Sequence, residues 1–165
     1  MKEEFCKKGY YKLHEIEGID FINIDQFKLL NNEERMRDNG KKDVAPALDA
    51  RISMFARYLE QKYILPYWPN SNYMYYNVWD GVDKDNQGWH TDFMEGYDIF
   101  MLYYFDDAHP DTGGSIAFKY GKEVDEFYPK SGDLFMVSNK RGFWHKAGST
   151  NIQRRVASFN FNTNE

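Results

Sequence analysis

The chain has 165 residues, 42% of them apolar by the AVILMFWYC count, with 21 Lys and Arg against 26 Asp and Glu for a formal charge of -5. That balance excludes a collagenous, disordered or multi-domain protein, and the acidic surplus disfavours nucleic acid and anionic membrane as partners. One Cys excludes an intrachain disulfide framework, and four His leave few candidates for metal or acid-base chemistry.

The N-terminal stretch Met1 to Gly18 is charged and lacks the apolar core of a signal peptide, and no run approaches the length of a bilayer span, so an intracellular, soluble protein with no membrane association is expected. Short strands are expected at Tyr10 to Ile16 and Phe21 to Ile24, and a weak helix at Gln26 to Arg37, ended by Asn39-Gly40. From Pro46 to Ile64, Leu48, Ile52, Phe55, Leu59 and Tyr63 recur at steps of three and four, which predicts an amphipathic helix with Pro46 in its first turn.

Beyond Pro66 the pattern changes to aromatic and β-branched runs separated by turn residues. Seven strands are predicted, at Tyr73 to Trp79, Gly88 to Phe93, Tyr97 to Phe105, Ser115 to Tyr120, Gly132 to Ser138, Gly142 to Ala147 and Arg154 to Phe161. The expected architecture is one domain over residues 1–165, mostly β: a helical support over about 1–70 and a jelly-roll core over about 73–162, with helices packed on one sheet.

His-x-Asp occurs twice, at His90-Thr91-Asp92 and at His109-Pro110-Asp111. The second lies in a polar, turn-rich connection whose Pro110 would break a ladder, and reads as a solvated loop. The first ends a strand-like run between Trp89 and Phe93, where alternation sends His90 and Asp92 to one face. Two such ligands need a third to bind iron and still leave positions open. His14 reads as an ordinary strand residue. His145, between aromatics in Gly142-Phe-Trp-His-Lys-Ala-Gly148, is core or ligand when taken alone.

Arg154 and Arg155 open the last strand, where a guanidinium is costly unless it meets an anion such as a carboxylate. If Arg154 faces the cavity, Val156, Ser158 and Asn160 share its face and Ala157, Phe159 and Phe161 pack against the helices. If Arg155 does, the aromatics fill the cavity. The first option gives the polar cavity, with Ser158 as a second donor to the same anion, and Arg155 stays the alternative.

These residues resemble the Fe(II)- and 2-oxoglutarate-dependent dioxygenases, double-stranded β-helix enzymes with a His-x-Asp…His triad and a downstream basic residue. The resemblance runs from about Tyr73 to Asn162 and is nearest to the prolyl hydroxylase-like branch. Besides the triad it includes Met101-Leu-Tyr-Tyr-Phe-Asp106, Gly113-Gly-Ser-Ile-Ala-Phe118 and Pro129-Lys-Ser-Gly-Asp-Leu-Phe135. It implies that His90, Asp92 and His145 bind Fe(II), that Arg154, Tyr104 and Ser158 hold the distal carboxylate of 2-oxoglutarate, and that ascorbate serves as reductant. It also implies hydroxylation of a prolyl or other residue in a peptide or protein, with succinate and carbon dioxide released. Trp79 falls where the branch places a pocket aromatic. Asp83 and Asp85, in an acidic loop that departs from the family pattern, suggest a neutral or basic peptide at the mouth. The other readings are a small-molecule substrate (a free amino acid or a nucleobase), a non-enzymatic jelly-roll binding module, and a zinc hydrolase on the same three ligands.

Overall fold

The fold is described from a computed structural model, which covers residues 1–13, 46–82, 85–92 and 96–164. The strands expected at 14–16 and 21–24 and the helix at 26–37 lie outside the described residues. Helix α1 (Lys2–Lys8), which the sequence pattern does not reveal, places Glu3 and Glu4 in its first turn and Lys7 and Lys8 in its last, each matching the helix dipole. Gly9 closes it at φ 76°, where its N–H donates to the Phe5 carbonyl at 2.7 Å. A Cβ at Gly9 would overlap the Phe143 ring, so both the backbone angle and the close approach require glycine here.

Strand β1 (Tyr10–Leu13) follows, then α2 (Pro46–Leu59), which continues as a π-helical turn over Glu60–Ile64. The helical spacing of α2 does what its sequence implies: Ile52, Phe55, Ala56 and Leu59 are fully buried. Phe55 meets Phe159 and Tyr103 edge-on, with centroids 5.4 and 5.1 Å apart. The π-helical turn is pinned where the half-exposed chain resumes, since the Glu60 carboxylate accepts from the Tyr73 backbone N–H and pairs with Arg57 at 2.9 Å.

The remaining strands are β2 (Asn72–Gly81), β3 (Ile99–Tyr104), β4 (Ile116–Tyr120), β5 (Glu123–Phe127), β6 (Leu134–Ser138), β7 (Phe143–Ala147) and β8 (Arg154–Asn162). They form a five-stranded antiparallel sheet in the order β1-β6-β3-β8-β2 and a three-stranded antiparallel sheet in the order β5-β4-β7. This is the mostly-β roll with helices on one sheet that the sequence implies.

Two expectations are corrected. The strand predicted at Gly88 to Phe93 is reduced to one bridge, His90 opposite His145, because the segment has no further ladder partner among the described residues. Conversely β5 was not predicted: its residues Glu-Val-Asp-Glu-Phe are mostly exposed and carry no apolar alternation. It forms because Gly121, at φ 58°, opens a two-residue turn that folds the chain back onto β4, pairing Tyr120 with Glu123.

Alternation on β3 and β8 divides the large sheet between two cores. Ile99, Met101, Ala157, Phe159 and Phe161 pack against α2. Phe100, Tyr104 and Val156 face the small sheet, where they join Ile116 and Phe118, together with Phe135 from β6. Strand β6 is buried along its whole length because it serves both. At roughly 2 kcal/mol or more per buried large side chain, these two layers supply the main stabilisation of the fold.

Candidate metal centre and carboxylate pocket

A cavity of about 280 Å³ opens between the sheets. Its large-sheet wall is built in registered rows: Leu102, Ser158 and Asn77 lie side by side on β3, β8 and β2, followed by Tyr104, Val156 and Trp79, and then Arg154 beside Gly81. The small-sheet wall brings Ile116, His145 and Ala147, and the segment before β3 brings Gln87, His90, Asp92 and Tyr97.

His90 and His145 are coupled through the backbone, each N–H donating to the other's carbonyl at 3.0 Å, and their rings lie 4.3 Å apart. The His90 Nδ1 sits 2.7 Å from the Gly88 carbonyl. A carbonyl can only accept, so Nδ1 carries a proton here, and it is Nε2 that faces the other two residues. That Nε2 lies 3.9 Å from Asp92 Oδ1, and His145 Nε2 lies 3.5 Å from Asp92 Oδ2. One donor atom from each residue falls within 4.8 Å of the others.

The protonation states suit a cation. Burial pushes the His145 imidazole below its ordinary pKa, more strongly than the Asp92 carboxylate draws it up, and so favours the neutral form. Burial also pushes the Asp92 carboxyl up, but its neighbours His145, His90 and Tyr97 outweigh that and hold it low. Two imidazoles and one carboxylate on one side of a cavity are the donor set of a facial metal site with positions left open. Asp92 is held in turn: its N–H donates to Asn139 Oδ1 at 2.7 Å, and the Tyr97 hydroxyl donates to its Oδ2 at 3.1 Å.

The same cavity holds the basic group. Arg154 is half-buried, and its Nη1 donates to the Gly114 carbonyl in a long contact of 3.4 Å. Among the described residues no carboxylate pairs with it. Arg155 points the other way, and Asp106 takes its Nη2 at 2.6 Å, its Nε at 3.0 Å and its backbone N–H at 2.8 Å. Of the two arginines, then, the structure places Arg154 in the cavity. Gly114, at φ 85°, brings its carbonyl against this side chain, and a Cβ on Gly113 would strike the Ser149 carbonyl oxygen, so both glycines of the Gly-Gly turn are needed.

Tyr104 is 2% exposed, and burial pushes its phenol up to about 12 while the Arg154 charge pulls the other way, leaving a neutral hydroxyl donor. Ser158 is buried in the neighbouring row, its hydroxyl 3.3 Å from Asn160 Oδ1. Leu102, Ile116 and Val156 supply apolar wall between this end and the metal ligands.

Trp79 lines the cavity, as its position in the sequence suggests. Asp85 does not: it is exposed, because the turn of Gln87 into the cavity, fixed by its N–H to the Ala147 carbonyl at 3.0 Å, leaves Asp85 on the outer surface. Asp83 lies outside the described residues, as does His14. His109 is exposed in its turn and apart from the site. Sequence reasoning missed Tyr75, Asn77 and Gln87 in the wall and Asn139 and Tyr97 behind Asp92. Counting back in twos from Trp79 would have found Asn77 and Tyr75; nothing local marks Asn139.

No protein-family model matches the sequence, and no curated protein matches it in sequence. Solved structures do match in fold. An oxidoreductase of the 2OG-Fe(II) oxygenase family from Burkholderia pseudomallei is 12% identical with a TM-score of 0.58 over 75% of this chain, which spans 61% of that one. A prolyl hydroxylase from Trichoplax adhaerens, in complex with a hypoxia inducible factor oxygen degradation domain peptide fragment, is 14% identical with a TM-score of 0.70, covering 98% of this chain and 87% of its own. HygX from Streptomyces hygroscopicus, with nickel and 2-oxoglutarate bound, is 11% identical with a TM-score of 0.66, covering 98% and 84%. The chain therefore has the double-stranded β-helix fold that these oxygenases share.

Proposed function

We propose that the chain is one catalytic domain of an Fe(II)- and 2-oxoglutarate-dependent dioxygenase that hydroxylates a prolyl or other residue of a peptide or protein. The observation that carries this reading is the joint placement, in one cavity, of two imidazoles and a carboxylate within 4.8 Å and of an arginine with no carboxylate partner among the described residues. A zinc hydrolase on the same ligands would give Arg154 no role.

His90, Asp92 and His145 would hold Fe(II) through Nε2, a carboxylate oxygen and Nε2. When bound, the metal supplies oxygen activation coupled to decarboxylation of 2-oxoglutarate to succinate. The chain's own residues place the reactants. Arg154 receives the distal carboxylate with its forked donors, and Tyr104 and Ser158 add neutral hydroxyls. Leu102, Ile116 and Val156 flank the methylenes and keep water from this end. With these groups assigned, the rest of the described wall is uncharged, including Tyr75, Asn77, Trp79 and Gln87 with Tyr97, Phe100 and Ala147, which suits a neutral side chain such as prolyl. The peptide bound to the Trichoplax adhaerens hydroxylase supports this substrate kind. Among the described residues no helix is long and apolar enough to cross a membrane.

The test is succinate release by the purified protein with Fe(II), 2-oxoglutarate and ascorbate, together with 2-oxoglutarate binding. His90→Ala should abolish the release. Turnover that survives His90→Ala or Asp92→Ala would remove the metal assignment.

A further inference from the structure

We propose that Asn139 and Tyr97 form a two-point clamp on Asp92, one at its backbone and one at its carboxylate, and act as positioning residues for the metal centre; the inference rests on the metal reading above. The two histidines owe their places to regular structure, since His145 lies on β7 and His90 is bridged to it. Asp92 has no strand to hold it. Its backbone N–H is instead taken by the Asn139 side-chain oxygen at 2.7 Å, from a residue far along the chain at the end of β6.

The choice of an amide follows from what surrounds it. Asn139 is 2% exposed, and its Nδ2 donates to the Tyr97 carbonyl at 3.0 Å while its own N–H donates to the Asp98 carbonyl at 2.8 Å. One side chain thus needs an acceptor aimed at Asp92 and a donor aimed at Tyr97, which only an amide offers in this space. An aspartate would leave the Tyr97 carbonyl unpaired and place a second carboxylate behind the first, and an alanine would orphan both groups.

Tyr97 completes the clamp from the other side. Its carbonyl is held by Asn139, and its hydroxyl returns to Asp92 Oδ2 at 3.1 Å. The ring is 8% exposed and set by edge contacts with Tyr75 and Phe100, at 6.1 and 5.9 Å. Below it, the Asp98 N–H donates to the Phe161 carbonyl at 3.0 Å, and Asp98 Oδ2 accepts from the Thr163 N–H and hydroxyl at 2.9 and 2.8 Å. The clamp is therefore anchored in the large sheet. One oxygen of Asp92 is engaged by Tyr97, and the other faces His90. Groups of this kind behind a ligand set its orientation and basicity.

The experiment is an anaerobic Co(II) titration of the full chain, read by the visible spectrum of the bound metal and by the dissociation constant, with the thermal midpoint of the metal-free protein recorded alongside. Tyr97→Phe removes only the hydroxyl. It should weaken Co(II) binding about ten- to a hundred-fold and alter the spectrum while the midpoint stays near that of the wild type. Asn139→Ala should weaken binding at least as much, and the double variant should lose less than the product of the two effects because both hold the one residue Asp92. Should Asn139→Ala not fold, Tyr97→Phe decides alone. Unchanged affinity and spectrum in Tyr97→Phe, with wild-type binding still lost in His90→Ala, would overturn the clamp and leave the metal site standing. A wild-type protein that binds no Co(II), or binds it equally well after His90→Ala, would overturn both.

Discussion

The two faces of the large sheet are made by alternate residues of the same strands, yet they obey different rules. On β8 the helix-side residues Ala157, Phe159 and Phe161 are fully buried against α2 and one another. One residue over, Arg154, Ser158 and Asn160 put a cation, a hydroxyl and an amide into the opposite face. The first face is close-packed and tolerates only volume-conserving change. The second keeps a cavity of about 280 Å³ and carries polar groups whose value lies in what enters it. Stability and binding are thus separable by a single step along one strand, and substitutions can test that division.

The largest expected effect on the packed face is that of Phe159→Ala, which should cost about 3–5 kcal/mol of unfolding free energy. Chemical denaturation checks it, and 2-oxoglutarate affinity per folded molecule should be unchanged. On the cavity face Arg154→Ala should do the reverse. The dissociation constant for 2-oxoglutarate should rise about a hundred-fold by calorimetry, corresponding to roughly 3 kcal/mol of charge-assisted hydrogen bonding, with little change in thermal midpoint.

Alkaline titration should probe the cavity face next, through Tyr104. Because burial raises the Tyr104 phenol to about 12 from an ordinary value near 10, the unfolded chain loses its proton first as pH rises. The native state then binds the extra proton, so stability falls between about pH 10 and 12, by roughly 2–3 kcal/mol from this group. Below pH 10 the two states bind equally and the effect vanishes. Tyr104→Phe should flatten that alkaline slope in denaturation curves taken across the range. The smallest effect is that of Ser158→Ala, a several-fold rise in the 2-oxoglutarate KM for about 1 kcal/mol, with kcat unchanged.

Much of this division was legible in the sequence because it depends on periods. The apolar steps of three and four mark α2, and the step of two on the last strand favours Arg154 while leaving Arg155 as the alternative. His90 and His145 stand out because His is scarce, and Asp92 by its place in His-x-Asp beside aromatics. What was hidden depends on long-range pairing. β5 lacks an apolar face and exists because β4 offers it an edge. α1 has one buried residue, Phe5, and is fixed by contacts such as Trp68, 5.5 Å from that ring. Asn139 sits in Ser-Asn-Lys, which reads as an ordinary turn, and only the meeting of distant segments brings it to Asp92. Asp85 is exposed and outside the cavity lining, because acidity near the site says nothing about which side of the chain faces inward.

The reciprocal backbone bonds between His90 and His145 have a bearing on how a metal would be acquired. Two of the three donors are joined as a single preformed unit, so most of the entropy of gathering ligands is spent when the chain folds and not when the ion arrives. Asp92 is held beside that pair by Asn139 and Tyr97, so the three donors would meet an ion as a set already gathered.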